Sequence, residues 1–208
     1  MFDGDELPRV AGSAHVIGKR ELERREYDDV HRILNGVPGV YVRGEDGFGL
    51  RPNIGLRGAN PDRSAKVTLM EDGVLLAPAP YAAPAAYYFP FPTRMVGVEV
   101  FKGPASIKYG PNTIGGAINL RTREIPDRHA STVDLAAGRF GYVKGHGFYG
   151  TTYRGFGILL EVAHLQSDGF KQLDGGGDTG FAKNDAMLKL SYEGKTGRDT
   201  VHRVQFKG

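Results

Sequence analysis

The sequence predicts a chain in two parts: a small α+β domain over residues 13–127, behind a linker at 1–12, and then antiparallel β-strands over 128–208. Three observations predict it. All 12 prolines of the 208 residues fall between Pro8 and Pro126, whereas the 31 glycines are spread throughout. Proline removes a ladder donor, so the proline-free remainder is compatible with continuous sheet. That remainder alternates apolar and polar residues with the period of two of a half-buried strand, while the first part mixes such runs with a capped helical segment.

Taken in order, Asp28 is placed to cap a short helix carrying Val30, Ile33 and Leu34, with Gly36 at the C-cap and Pro38 beyond it. Val40 to Val42, Lys66 to Met70, Val96 to Phe101 and Ala117 to Arg121 read as strands. Gly73 to Thr93 carries no charge over 21 positions, about the length of a membrane span. Its prolines (Pro78, Pro80, Pro84, Pro90, Pro92) forbid a regular helix. Lipid would leave irregular backbone unsatisfied, so this segment is expected inside protein or lining a cavity.

Beyond residue 127, Ser131 to Gly138 sets Val133, Leu135 and Ala137 against Thr132, Asp134 and Ala136. Tyr142 to Thr152 and Gly157 to Ser167 form two further strands. Lys183 to Glu193 opposes Leu188, Leu190 and Tyr192 to Lys189, Ser191 and Glu193. After a turn at Thr196 to Asp199, Val204 and Phe206 oppose Arg203, Gln205 and Lys207. Connections are short except for Asp168 to Ala182. Five strands in meander order suggest a barrel wall or a large sheet.

Composition removes several function classes. Without cysteine there is no disulfide framework, thiol nucleophile, iron–sulfur cluster or Cys-ligated zinc. A net charge of +3 is too small to argue for a nucleic-acid partner. Gly145 to Gly150 matches G-x-G-x-x-G, yet the strand pattern runs straight through it, where a dinucleotide site needs a strand followed by a helix. Lys195-Thr196-Gly197 has no S-x-x-K partner. The six histidines show no ligand spacing. Asp174-Gly175-Gly176-Gly177-Asp178 lacks the further spaced ligands of a calcium loop, and Glu71-Asp72 before Gly73 is turn chemistry. Nothing assembles a catalytic set, and no metal site or permanently bound cofactor is expected.

Four stretches in order resemble the plug domain of TonB-dependent outer-membrane receptors. They are Leu34 to Val40 (LNGVPGV), Asn53 to Gly58 (NIGLRG), Val67 to Gly73 (VTLMEDG), and Val98 to Pro104 (VEVFKGP) continuing to Tyr109 to Asn119 (YGPNTIGGAIN). The likeness covers roughly residues 13–126. Within the family it is greatest to ferric dicitrate receptors, through Leu56 to Pro61, Leu69 to Gly73 and Ala79-Pro80-Tyr81. The resemblance implies a plug followed by the first five or so strands of an incomplete transmembrane β-barrel of about 22 strands. With strand one rising from the periplasm, the long Asp168 to Ala182 connection lies outside the cell, and the short turns at Tyr153-Arg154-Gly155 and Thr196 to Asp199 lie in the periplasm. Leu188, Leu190, Tyr192, Val204 and Phe206 then face lipid, and Lys189, Glu193, Arg203 and Gln205 face the lumen.

The resemblance further implies an outer-membrane receptor that binds a ferric chelate, citrate or another siderophore, as transported cargo. TonB, driven by the inner-membrane proton gradient, pulls on the N-terminal segment to open a path. Other cargo (cobalamin, a nickel chelate, an oligosaccharide) and a plug-like binding module without transport are the alternatives. Ligand loops correspond to about Gly44 to Arg51 and Pro78 to Pro84. Arg43, Arg51, Tyr81, Tyr87 and Tyr88 suit an anionic chelate there; Glu45 and Asp46 oppose one, and Ala82-Ala83 stands where a polar contact is expected. Arg57, with Arg63 or Lys66, pairs with acidic groups on the barrel wall, the alternative being solvated surface cations. Glycines 36, 39, 58, 103, 110, 115 and 116 allow turns and close packing. Met1 to Glu6 is acidic where a signal peptide would be basic and then apolar. No TonB box is evident before Gly12, so both are expected upstream of Met1, and the barrel's ligand residues downstream of Gly208.

Overall fold

The computed structural model describes residues 12–76, 89–110, 113–171, 174–177, 179–196 and 200–208. The chain forms two compact units, Met1–Arg123 and Glu124–Gly208. Residues 124–127, expected with the first part, go with the second. A Cβ on Gly157 would come 2.9 Å from the Ile125 side chain, and one on Gly150 would come 2.6 Å from Pro126. The Pro126 carbonyl also accepts the Thr152 hydroxyl at 2.9 Å.

The first unit contains strands β1 (Ser13–Ile17), β2 (Val40–Arg43), β3 (Asn53–Leu56), β4 (Val67–Glu71), β5 (Val74–Leu75), β6 (Met95–Lys102) and β7 (Gly116–Thr122). Two short helices, α1 (Lys19–Arg25) and α2 (Val30–Leu34), lie between β1 and β2. Five strands form one mixed sheet in the order β1-β6-β7-β4-β5, and β2 and β3 pair separately. Among the described residues only β4 and β7 run parallel, with Val67 opposite Gly116. Strands β3 and β4 bury every residue, so neither shows alternation, as expected of strands covered on both faces. The core joins Val30, Ile33 and Leu34 of α2 to Ile54, Leu56, Val67, Leu69, Val98, Val100, Ile118 and Leu120.

Several boundaries differ from the sequence reading. Asp29, not Asp28, caps α2: its side chain accepts the His31 amide at 2.8 Å. Asp28 instead accepts the Thr93 hydroxyl at 2.6 Å. The C-cap is Asn35, in the αR region, and the residue needing a left-handed backbone is Gly39, at φ 74°. Helix α1 buries no residue, so it carries no apolar period to read; Lys19–Glu23 and Glu21–Arg25 ion pairs brace it one turn apart. Strands β1, β3 and β5 were also not legible. The turn chemistry at Glu71-Asp72-Gly73 is a two-residue hairpin joining β4 to β5, with φ of 48° at Asp72 and 81° at Gly73. Of the uncharged 73–93 stretch, residues 77–88 lie outside the described residues. Phe89 and Phe91, just beyond, are buried.

The second unit is a five-stranded antiparallel meander: β8 (Ala130–Ala137), β9 (Val143–Tyr153), β10 (Phe156–Ser167), β11 (Phe181–Thr196) and β12 (Thr200–Lys207). Strand β11 is longer at both ends than the Lys183 to Glu193 alternation, and the turn at 197–199 lies outside the described residues. Strands β9 and β10 close through Arg154 and Gly155, both at positive φ (49° and 86°). The ladder stays open at β8 and at β12. The fold is thus a small mixed-sheet domain followed by antiparallel strands of an unclosed barrel wall.

Candidate functional site

In the first unit the candidate surface is built on the β2–β3 hairpin and the loop that follows β3. The hairpin loop, residues 44–52, is shaped by one carboxylate. Asp46 accepts the amides of Phe48 (2.6 Å), Gly49 (2.7 Å) and Arg51 (3.1 Å), so its charge is turned onto the loop's own backbone. The loop packs on the α2 cap: Gly49 has φ +73°, and a Cβ there would come 2.2 Å from Asp29 Oδ1. Only glycine fits both demands. The 57–66 loop folds back over β3. The Arg63 amide donates to Asn53 Oδ1 at 2.7 Å, and Ser64 Oγ accepts the Ile54 amide and donates to the Pro52 carbonyl.

The expected site residues divide by charge balance. Arg43 is offset, with Asp62 at 3.1 Å and Glu45 at 3.5 Å, so the opposing Glu45 is also engaged. Arg51, Arg63 and Lys66 are exposed and make no ion pair with any described residue. Arg57 is likewise exposed, at φ 53°, its guanidinium lying 2.6 Å from where a Gly103 Cβ would stand. Tyr81, Tyr87 and Tyr88, with Ala82-Ala83, lie outside the described residues.

Sequence reasoning missed Asp62, Lys102 and the Asp29–His31 pair. Lys102 is buried and donates to the Pro38 carbonyl at 2.7 Å. Burial, and then the nearby Arg57 cation, lower its pKa. His31 Nδ1 lies 2.9 Å from Asp29 Oδ1, and that hydrogen bond chiefly raises the imidazole's pKa against the opposing effect of burial. The readable signal for this pair is an N-cap Asp two residues ahead of a His.

Behind this surface the sheet carries charges in its core. Arg94 grips Glu71 with two bonds, 3.0 and 2.8 Å. Asn119 donates to Glu99 Oε2 at 2.9 Å, and Arg121 lies 3.6 Å from Glu99 Oε1. Asp72 accepts both the amide and the hydroxyl of Thr122.

In the second unit the two sheet faces differ sharply. One exposes Phe156, Ile158, Leu160 and Val162 of β10, Leu190 and Tyr192 of β11, Val204 and Phe206 of β12, and Val133 and Leu135 of β8. Leu188, on this face, is half-buried. The apolar band ends where His164 meets Asn184 (2.7 Å) and Gln166 (3.1 Å). Phe156 and Tyr192 meet as a tilted pair at its other margin, centroids 4.6 Å apart. The opposite face holds Lys144 paired to Asp134 (2.9 Å), His146 to Glu161 (2.8 Å) and Arg203 to Glu193 (2.6 Å). Lys189 lies on that face, buried, and Gln205 is there too.

The sequence profile of the TonB-dependent Receptor Plug Domain matches residues 7–117, just over half of the chain. Among solved structures, the chain resembles the ferric citrate transporter FecA in its unliganded form, with a TM-score of 0.71 and 25% identity over 90% of this chain and 29% of that one. It resembles the copper transporter OprC (TM-score 0.67, 20% identity, 92% and 29% covered). It also resembles the ferric yersiniabactin uptake receptor FyuA from Yersinia pestis (0.66, 20%, 87% and 29%). The last two likenesses speak to fold alone. The chain spans 29% of the length of each of these structures.

Proposed function

The chain belongs to the TonB-dependent receptor plug-domain family, and from that premise we propose that it is part of an outer-membrane receptor that imports an anionic ferric chelate, citrate or a siderophore, energised by TonB. The observation that carries the cargo is the charge of the 44–66 surface. Asp46 is turned inward and Glu45 is held by Arg43, while Arg51, Arg57, Arg63 and Lys66 stand exposed without an ion pair among the described residues. A carboxylate-rich chelate meets there donors that no acid among the described residues has claimed. The resemblance adds Tyr81, Tyr87 and Tyr88, which lie outside the described residues, as further proposed ligand contacts. Arg57 is the one of these cations proposed to reach the barrel wall as well, with Arg63 or Lys66 in support.

The membrane assignment rests on the apolar band of β8–β12, bounded by polar and aromatic margins, which suits a lipid-facing barrel wall. That band also disfavours a plug-like module working outside a membrane. TonB's pull would reach β1 first. This strand sits at the sheet edge with a single neighbour, held to β6 through five residue pairs from Ser13–Lys102 to Ile17–Val98.

A deletion strain grown under iron limitation on single chelates tests the reading. Growth is expected to fail on at least one anionic ferric chelate and to return on complementation; unchanged growth on every ferric chelate removes iron as the cargo. Purified receptor carrying Arg51→Ala with Arg63→Ala should bind that chelate at least about tenfold more weakly, each lost charged hydrogen bond being worth roughly 1.5–3 kcal/mol.

A further inference from the structure

The geometry points to a site for an anionic phospholipid at one end of the apolar face of β8–β12, with its headgroup on Arg154 and Tyr192 and one acyl chain in the furrow beside them. The inference rests on reading that face as lipid-facing and is independent of the cargo.

The furrow follows from the strand register. Tyr153, Phe156, Tyr192 and Val204 are cross-strand partners and form one row over four strands; Ile158, Leu190 and Phe206 form the next. The rows stand two residues apart along each strand, about 6.8 Å. Between them pass only the main chains at Gly157 and Ser191, because successive side chains point to opposite faces. What remains is an open apolar furrow of about 370 Å³, within the range of small-ligand sites, roughly 300–1,000 Å³.

The polar end is built at the β9–β10 turn. Arg154 and Gly155 form it, at φ 49° and 86°. A two-residue turn with both φ positive favours Asn or Asp ahead of Gly, so Arg154 holds its place at a backbone cost. Its exposed guanidinium lies 5.2 Å from the Tyr153 ring centroid, at the end of the first row, and makes no ion pair among the described residues. The Gly155 carbonyl accepts the Glu193 amide at 2.8 Å, which ties the turn to β11 one residue from Tyr192. The Tyr192 ring leans away from the band over Gly194, where a Cβ would come 3.1 Å from its Oη. A cation and a phenol hydroxyl therefore stand at the same end of the furrow.

The sheet's acids are elsewhere. Asp134, Glu161 and Glu193 pair with Lys144, His146 and Arg203 on the opposite face, and alternation along β11 puts Asp185 there too. A negative headgroup at Arg154 thus meets no like charge from the described strand residues on its own face. A soluble anion would occupy the polar end alone and leave the furrow bare, whereas a phospholipid fills both.

Native mass spectrometry of the delipidated full-length receptor in detergent, titrated with phosphatidylglycerol or phosphatidylcholine, tests the site. Phosphatidylglycerol should be retained about fivefold more tightly, the worth of one arginine beside an anionic lipid. Arg154→Asn suits the left-handed turn better, so it should leave thermal stability unchanged or raised and yet abolish that preference. Tyr192→Phe should weaken retention about fivefold, the worth of one hydrogen bond. Equal retention of the two lipids, or a preference that survives Arg154→Asn, overturns the site. Displacement of the lipid by millimolar inorganic phosphate does so as well, since the furrow would then contribute nothing. Unfolding of Leu160→Arg from vesicles tests the lipid-facing reading separately. If Leu160→Arg is destabilised and no headgroup preference is found, the face is in lipid and the site is overturned. A preference that Arg154→Asn abolishes, with Leu160→Arg as stable as wild type, supports the site and overturns the lipid-facing wall.

Discussion

Placing an arginine on the apolar band of β10 tests whether that band faces lipid. From Phe156 to His164 the strand advances eight residues, so at about 3.4 Å per residue and a tilt near 40° the band is about 21 Å tall. Outer-membrane barrels carry a band of about 25 Å, so the two margins fall near the two interfaces. Leu160, almost half exposed at 46%, sits midway, about 10 Å from either margin. Leu160→Arg should then destabilise the inserted protein by about 2–4 kcal/mol, and Tyr192→Arg, at the margin beside Phe156, by no more than about 1 kcal/mol. Gln205→Arg, on the other face, should change stability by less than about 0.5 kcal/mol. The assay is reversible urea unfolding of the full-length receptor from phospholipid vesicles. If Leu160→Arg costs no more than Tyr192→Arg, the face is not in lipid and the depth argument fails.

Glu71→Gln leaves Arg94 buried without its charge partner and should lower the local opening free energy of β4 amides by about 3–5 kcal/mol, measured by native-state hydrogen exchange. Glu71→Gln with Arg94→Met should cost less than the sum of the two single changes, and simple additivity would show that the pair is not coupled. Asp46→Ala removes the acceptor of three amides and should cost about 1–3 kcal/mol, read as faster exchange confined to 44–51; unchanged exchange there would mean that the loop holds its shape without the carboxylate.

How much of the fold could be read depended on how many faces each strand buries. Strands β8–β12 show one face to each environment, so period two was visible in Leu188, Leu190 and Tyr192 against Lys189 and Glu193, and the pairing Glu193–Arg203 puts opposite charges where the alternation placed them. Strand β3, Asn-Ile-Gly-Leu, is buried at all four positions and has no period to find. Helix α1 is the converse case: it buries no residue fully, only Leu22 packs in part against the core, and ion pairs one turn apart brace its outer surface. At α2 the composition was legible but not the cap, because Asp28 and Asp29 are equally good cap residues. The choice is made by Thr93, 65 residues away, which takes Asp28.

The same long-range dependence decides the chemistry of the candidate surface. By composition, residues 43–51 carry two arginines against Glu45 and Asp46 and look neutral. In space they do not act so. The Asp46 carboxylate is turned toward three backbone amides of its own loop, and Arg43 is shared between Glu45 and Asp62, the latter 19 positions on. Arg51 makes no ion pair among the described residues, and Arg57, Arg63 and Lys66, from a loop folded back over β3, add to it. The sign of the surface is therefore set by which acids are already engaged, a property of the hairpin and the α2 cap rather than of the local sequence. Because Asp29 both caps α2 and packs against Gly49 of the loop, the cationic character and the position of the surface depend on the same few contacts. A change at Asp29 should accordingly disturb ligand affinity although Asp29 itself bears the wrong charge to touch an anion.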